Sequence, residues 1–129
     1  MELSELILRY TAAWSERDRA LRQEAPERVW AEDGTYTDPT AHVVGRRELI
    51  EHIGGFFEQF PGSRIELTSG VDAHHEKICF TWRMVLADGK VFLEGVDFGE
   101  LSDDGKLHRI VGFFGPLAPK SRDEAGVGS

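Results

Sequence analysis

The sequence predicts an α+β domain in which a curved, mostly antiparallel sheet wraps around N-terminal helices. Three observations carry this expectation. Apolar residues recur at three- and four-residue spacing near the start of the chain and again around residue 50; the period changes to two after Pro61-Gly62; and hairpin signals at Ala87-Asp88-Gly89 and Ser102-Asp103-Asp104-Gly105 divide the second half. Helices first and strands afterwards place the two kinds of structure in separate layers.

Leu3, Leu6, Ile7, Tyr10, Ala13 and Trp14 trace one apolar stripe, so the chain opens on an amphipathic helix with Tyr10 on its buried side. After Ser15 to Arg17 it restarts at Asp18, whose side chain suits a helix N-cap, and carries Leu21, Val29 and Trp30 inward. Pro26 is expected to start a new turn or kink this helix, and Asp33-Gly34 to end the segment. Thr35 to Asp38 reads as a short extended piece, because Pro39 steers Asp38 away from helical geometry. A loop through His42 and Gly45 leads to a third helix with Leu49, Ile50, Ile53, Phe56, Phe57 and Phe60 on its apolar face. Gly54-Gly55 inside that helix costs roughly 1 kcal/mol per glycine relative to alanine. Either a close neighbour requires the pair or the helix tolerates it. Strands are expected over residues 64–71, 77–86, 91–101 and 107–114. Residues 1–117 form the expected single domain, and 118–129, rich in glycine and in charged or small residues, a flexible tail.

A chain of 129 residues fits one core. Its net charge of -8 argues against a nucleic-acid groove, which needs clustered Lys and Arg to displace counterions. The only adjacent basic pair, Arg46-Arg47, sits at the start of a predicted helix and is expected to face water. No apolar run approaches the roughly 18 residues of a membrane span, and the first residues lack a secretory pattern, so no membrane association and a cytoplasmic location are expected. Cys79, flanked by Ile78 and Phe80, reads as a small buried thiol in a strand. His74-His75 beside Asp72 invites a metal reading, but neighbours on a strand point to opposite faces. His42, His52 and His108 have no partner at ligand spacing, and no phosphate loop or dinucleotide fingerprint occurs; no metal and no cofactor are expected.

The segments Arg9-Tyr10-Thr11-Ala12-Ala13, Thr37-Asp38-Pro39 and Gly95-Val96-Asp97-Phe98 resemble the three places where ketosteroid isomerase keeps an oxyanion-binding tyrosine, a carboxylate base and a protonated aspartic acid. Three helices, a short strand ending in Asp-Pro and a four-stranded meander ending in Gly112-Phe113-Phe114-Gly115 are similar to the cone-shaped fold of nuclear transport factor 2. That superfamily also includes limonene epoxide hydrolase, scytalone dehydratase and the SnoaL-like polyketide cyclases. The resemblance implies a cystatin-like α+β barrel with an internal pocket, a small hydrophobic molecule as ligand, and a homodimer formed through the outer sheet face. It also implies an isomerase or cyclase working by general acid/base chemistry on a carbonyl compound, or a non-catalytic binding or association module on the same fold. Gly95 stands where limonene epoxide hydrolase has an arginine, which weakens an epoxide-opening variant. Only Tyr10 and Tyr36 are present, so the additional tyrosines that support the oxyanion donor in ketosteroid isomerase are missing.

Abstracting a proton beside a carbonyl requires a base near the carbon and donors where charge develops on oxygen. By resemblance Asp38 is the base, Tyr10 one donor and Asp97 a second donor held protonated. Each has a plainer reading. Asp38 can cap the turn at Pro39. Tyr10 can be an amphipathic core residue. Asp97, a residue type that strand interiors disfavour, can pair with Arg83 on the neighbouring strand. Trp14, Trp30, Tyr36, Phe57, Trp82 and Met84 are the expected ligand lining, with Phe80, Trp82 and Met84 on one strand face.

Overall fold

The computed structural model describes residues 1–120, so most of the expected tail, from residue 121 on, lies outside the described residues. Helices α1 (Leu3–Ala13), α2 (Arg19–Val29) and α3 (Arg46–Gln59) cover one face of a mixed sheet. Its strands are β1 (Trp30–Asp38), β2 (Ala41–Val44), β3 (Arg64–Leu67), β4 (Asp72–His74), β5 (Lys77–Val85), β6 (Val91–Leu101) and β7 (Leu107–Phe114). The α+β class and the segregation of helices from strands follow the sequence reading.

The sheet order is β2-β1-β7-β6-β5-β3, with β4 also beside β5. Among the described strands only β1 and β7 run parallel. The sheet curves without closing: β2 and β3 end the order unpaired with each other, so the expected barrel is open. Helices occupy the concave side, α1 packing on β3 and α3 on β1 and β2.

Periodicity explains α1, which buries Leu6, Ile7, Tyr10 and Ala13. Asp18 caps α2 by accepting the Leu21 N–H at 3.1 Å. Leu21 itself is exposed, and the inward position belongs to Arg22, whose guanidinium donates to the Glu16 carbonyl and covers the Phe57 ring at 4.6 Å. α2 runs through the buried Pro26 and ends at Val29. Trp30 is already β-strand, because β7, distant in sequence, pairs with it through Leu107. The loop expected around His42 is instead β2, folded back on β1 through a turn at Pro39-Thr40. The strand expected over 64–71 ends at Leu67 as β3, and β4 follows as an additional short strand; both pair with β5. At Gly54 and Gly55 an added Cβ meets no atom within 4 Å, so no close neighbour requires them.

β5 and β6 present alternate residues to two environments. Ile78, Phe80, Trp82 and Met84 face inward and are buried. Cys79 lies on the opposite face and is exposed, contrary to the buried thiol expected. His74 ends β4 and His75, at φ 49°, opens the turn that follows, so the pair sits at a strand end, with its two Nδ1 atoms 3.1 Å apart. Among the described residues no three His, Cys, Asp or Glu side chains are grouped to hold a metal ion, and no helix is long and apolar enough to cross a membrane.

Candidate functional site

Between the helices and the concave sheet face lies a cavity of about 750 Å³. Its floor is set by the register of three adjacent strands. Asp97 on β6 is directly opposite Gly112 on β7, and on β7's other side the parallel β1 pairs Thr37 with Val111, which puts Asp38 level with Gly112. Both acids therefore flank one glycine on the inner face. A Cβ at Gly112 would lie 2.8 Å from Asp97 Oδ1 and 3.6 Å from Asp38 Cβ. The absent side chain is the space that lets two carboxyl groups from different strands approach.

Their surroundings differ. Asp38, half-buried near the cavity rim, accepts three hydrogen bonds: from the Tyr36 hydroxyl at 2.5 Å, and from the Thr40 N–H and hydroxyl at 2.7 Å each. The Thr40 pair is the turn-capping geometry anticipated for an Asp-Pro sequence. A carboxylate offers about four lone-pair positions, so one remains for a ligand. Asp97 is 6% exposed and accepts one hydrogen bond, from Trp82 Nε1 at 2.9 Å. Burial drives its carboxyl upward, the indole bond opposes this, and the charge on Asp38 adds to it; the result is a pKa of about 7. The pairing with Arg83 does not form. Arg83 stands opposite Glu94 on the other sheet face and bonds Glu66 at 2.8 Å.

Gly95 explains how the indole reaches Asp97. A Cβ there would come within 2.3 Å of the Trp82 ring, so the glycine clears the path across the strand for Nε1. The residue that departs from the epoxide hydrolase pattern is thus the one that orients Trp82.

Tyr10 also lines the cavity, nearly buried. Burial, followed by the charge on Asp97, holds its phenol well above its ordinary value, so it is a neutral donor across the working pH range. Tyr36 is likewise raised, by burial first and then by the neighbouring Tyr10 phenol and its bond to Asp38. The structure thus brings Tyr10, Asp38 and Asp97 to one cavity, with Tyr36 as the phenol that touches Asp38.

Of the expected ligand lining, Trp14, Tyr36, Trp82 and Met84 face the cavity. Two do not. Trp30, fully buried, stacks behind Tyr10 at 5.5 Å and belongs to the core; Phe57 turns to the far side of α3 under Arg22. Sequence reasoning missed His52, one turn before Phe56 on α3, whose ring lies 5.7 Å from Trp14 and 5.6 Å from Tyr36. The spacing of His52 and Phe56 was the available signal, since residues four apart share a helix face. It also missed Phe92. Met84 pairs with Leu93 but Val85 with Val91, so Phe92 is the extra residue of a β-bulge and lies 5.4 Å from Phe60 at the cavity mouth. No alternation pattern reveals a bulge.

Comparison with known proteins agrees with this architecture. A sequence family described as a SnoaL-like domain matches residues 7–110. A crystal structure from Agrobacterium tumefaciens, provisionally assigned as an isomerase of the SnoaL-like family, is 30% identical with a TM-score of 0.82, covering 87% of this chain and 96% of that one. A Jannaschia structure, provisionally assigned as a SnoaL-like polyketide cyclase, is 17% identical with a TM-score of 0.68 over 85% of this chain and 83% of that one. A Nostoc punctiforme protein of cystatin-like fold gives 15% identity and a TM-score of 0.66 over 92% of each chain. These last two share the fold alone. No curated protein sequence matches significantly. From the match over residues 7–110 and the 30%-identical structure that nearly its whole length superposes on, the chain belongs to the SnoaL-like family.

Proposed function

We propose that this protein is a cofactor-independent acid/base enzyme of the isomerase or cyclase type, acting on a small hydrophobic carbonyl compound. The observation that carries the reading is the pair of unlike acids around Gly112: a triply hydrogen-bonded Asp38 near the rim and a buried Asp97 that holds its proton to about pH 7. In the reaction Asp38 takes a proton from the carbon beside the carbonyl. The C–H electron pair forms a double bond to the carbonyl carbon, and the displaced C=O π pair puts negative charge on the carbonyl oxygen. Asp97 and Tyr10 donate hydrogen bonds to that oxygen. Returning the proton to another carbon completes an isomerisation; attack of the enolate carbon on a second carbonyl carbon, with the Asp38 proton passing to the new alkoxide, completes a cyclisation. The site carries one negative charge throughout, transferred from Asp38 to the oxygen and back.

The test is α-hydrogen exchange of 2-tetralone in deuterium oxide, followed by proton NMR. The protein should accelerate exchange and Asp38→Asn should abolish the acceleration; exchange that persists at the wild-type rate in Asp38→Asn excludes Asp38 as the base. A binding module without turnover is the competing reading, favoured by the Thr40 bonds that make Asp38 a turn cap. It predicts tetralone binding with no acceleration of exchange.

A homodimer through the outer sheet face is part of the proposal. Val96 opposes Phe113 and Phe98 opposes Val111 there, and both phenylalanines are exposed, 39% and 52%. Sedimentation should give a dimer mass, and Phe113→Lys a monomer. A cytoplasmic location completes the proposal; among the described residues no helix is long and apolar enough to cross a membrane.

A further inference from the structure

The cavity's charges are of one sign. Asp38 enters from β1, Asp97 from β6 and Glu51 from α3; His52, also from α3, is the single lining group able to become positive. Among the described residues no lysine or arginine lines it. Of the nearby arginines, Arg46 donates twice to the Trp30 carbonyl and Arg83 and Arg64 both bond Glu66; Arg47, exposed, lies 3.8 Å from Glu51 and offsets that charge, which leaves Asp38 and Asp97 as the acids without a basic partner.

The Tyr36 ring, whose hydroxyl bonds Asp38, is in mutual contact with two further lining rings. Trp14 and Tyr36 are 5.4 Å apart, Tyr36 and His52 5.6 Å, Trp14 and His52 5.7 Å, and Phe56 meets Trp14 edge-on at 5.3 Å. Aromatic faces carry negative potential and attract cations, most strongly where water is excluded. A carboxylate with a free lone pair next to such rings is the chemistry that recognises an ammonium group. An anionic ligand, by contrast, would add a second negative charge beside Asp38 with no basic side chain to offset it.

We infer that the cavity selects ligands by charge and binds apolar ring systems bearing a protonated amine, with the ammonium on Asp38 beside Trp14 and Tyr36. The inference goes beyond the proton-transfer reading and does not depend on it, since it rests on the lining alone. A ring amine bound this way occupies the one lone pair the base has free, and so competes with the carbonyl substrate.

Calorimetry with three compounds of one bicyclic frame tests it: 2-aminotetralin as cation, 2-tetralone as neutral ligand and 1,2,3,4-tetrahydro-2-naphthoate as anion, at pH 7 and low salt. The amine is expected to bind at least tenfold tighter than the naphthoate. In Asp38→Asn its advantage over the ketone should shrink at least tenfold, and Asp38→Glu, which keeps the charge, should restore part of it. Repeating the titration in buffers of different ionisation enthalpy should reveal proton release with the amine and none with the ketone, because a bound cation lets Asp97 ionise. Equal affinity for naphthoate and amine, an Asp38→Asn loss shared equally by amine and ketone, or no binding of any of the three overturns the inference. Tetralone exchange on the same samples reports separately on the proton-transfer reading, so either can fail alone.

Discussion

Asp38 and Asp97 share a sheet face and flank the same glycine, yet one sits at a rim under three hydrogen-bond donors and the other on a floor with only an indole for company. The same functional group is thereby given two different environments, and separated environments allow separate roles. What divides them is local. At the rim the donors come from the turn at Pro39-Thr40 and from Tyr36 two residues earlier on the same strand. On the floor the environment comes from across the sheet, through Trp82, Gly95 and Gly112. Damage to the floor should therefore be transmitted between strands, while damage at the rim should stay local.

The largest effect is expected from closing the gap between the two acids. In Gly112→Val a side chain replaces empty space 2.8 Å from Asp97 Oδ1 and beside Asp38. Overpacking of this kind costs about 1–3 kcal/mol of stability, and displacing both carboxyl groups should reduce tetralone exchange by about 100-fold, as misplacement of catalytic groups does. Denaturation curves and exchange rates measured together check this; a stable variant with undiminished exchange would break the pairing of the two sites.

For stability alone, the pH dependence is expected to exceed this. The folded state holds the Asp97 proton to about pH 7, whereas the unfolded chain releases it near the ordinary carboxyl value of about 3.9. Between those pH values the native state binds more protons. The contribution of Asp97 is thus complete below about pH 4 and is lost as pH rises through about 7, a change on the order of 4 kcal/mol. Denaturant midpoints measured from pH 4 to 8 should show this decline in the wild type and a flatter profile in Asp97→Asn. Parallel profiles would mean that the floor is wetter than its burial implies.

How much of this contrast the sequence discloses follows from the range of each interaction. Asp38 at a turn, Asp18 at a helix N-cap and the inward face of Phe80, Trp82 and Met84 depend on residues close in the chain or on strand alternation, and all were legible. The conflict of an aspartate in an apolar strand was legible at Asp97, but its resolution was not: cross-strand pairing suggested Arg83, whereas the register places Phe80 opposite Asp97 and turns Arg83 to Glu66. Trp30 and Phe57 misled for a related reason. An aromatic stripe marks a buried face without saying whether a cavity or a neighbouring side chain covers it, and here Tyr10 and Arg22 do. The parallel pairing of β1 with β7, which brings Asp38 level with Gly112, joins segments about 75 residues apart and leaves no local trace.

A smaller effect is expected at the floor's only donor. The Trp82 indole bond favours the ionised form of Asp97, opposing burial. Trp82→Phe keeps an aromatic ring above Gly95 and removes the N–H, so the Asp97 titration should move upward by about one pH unit, the equivalent of a charge-assisted bond of about 1.4 kcal/mol. Carbon-13 NMR of the labelled carboxyl reads this directly, and an unmoved or lower value would mean that the indole bond does not set the proton affinity of the floor.

The smallest change is expected at the rim, where Tyr36→Phe removes one of three donors to Asp38 while the Thr40 pair keeps the carboxylate in its turn. Because the ring stays packed between Trp14 and His52, the stability loss should be near the 1 kcal/mol of a single hydrogen bond. Exchange should fall by about tenfold or less, as Asp38 keeps its position but gains freedom to rotate. The Asp97 titration should not move, since the lost donor belongs to the rim and not to the strand-crossing contacts that isolate the floor. A shift there in Tyr36→Phe would show that the two acids share one hydrogen-bonded unit, and the separation of rim from floor would then have to be abandoned.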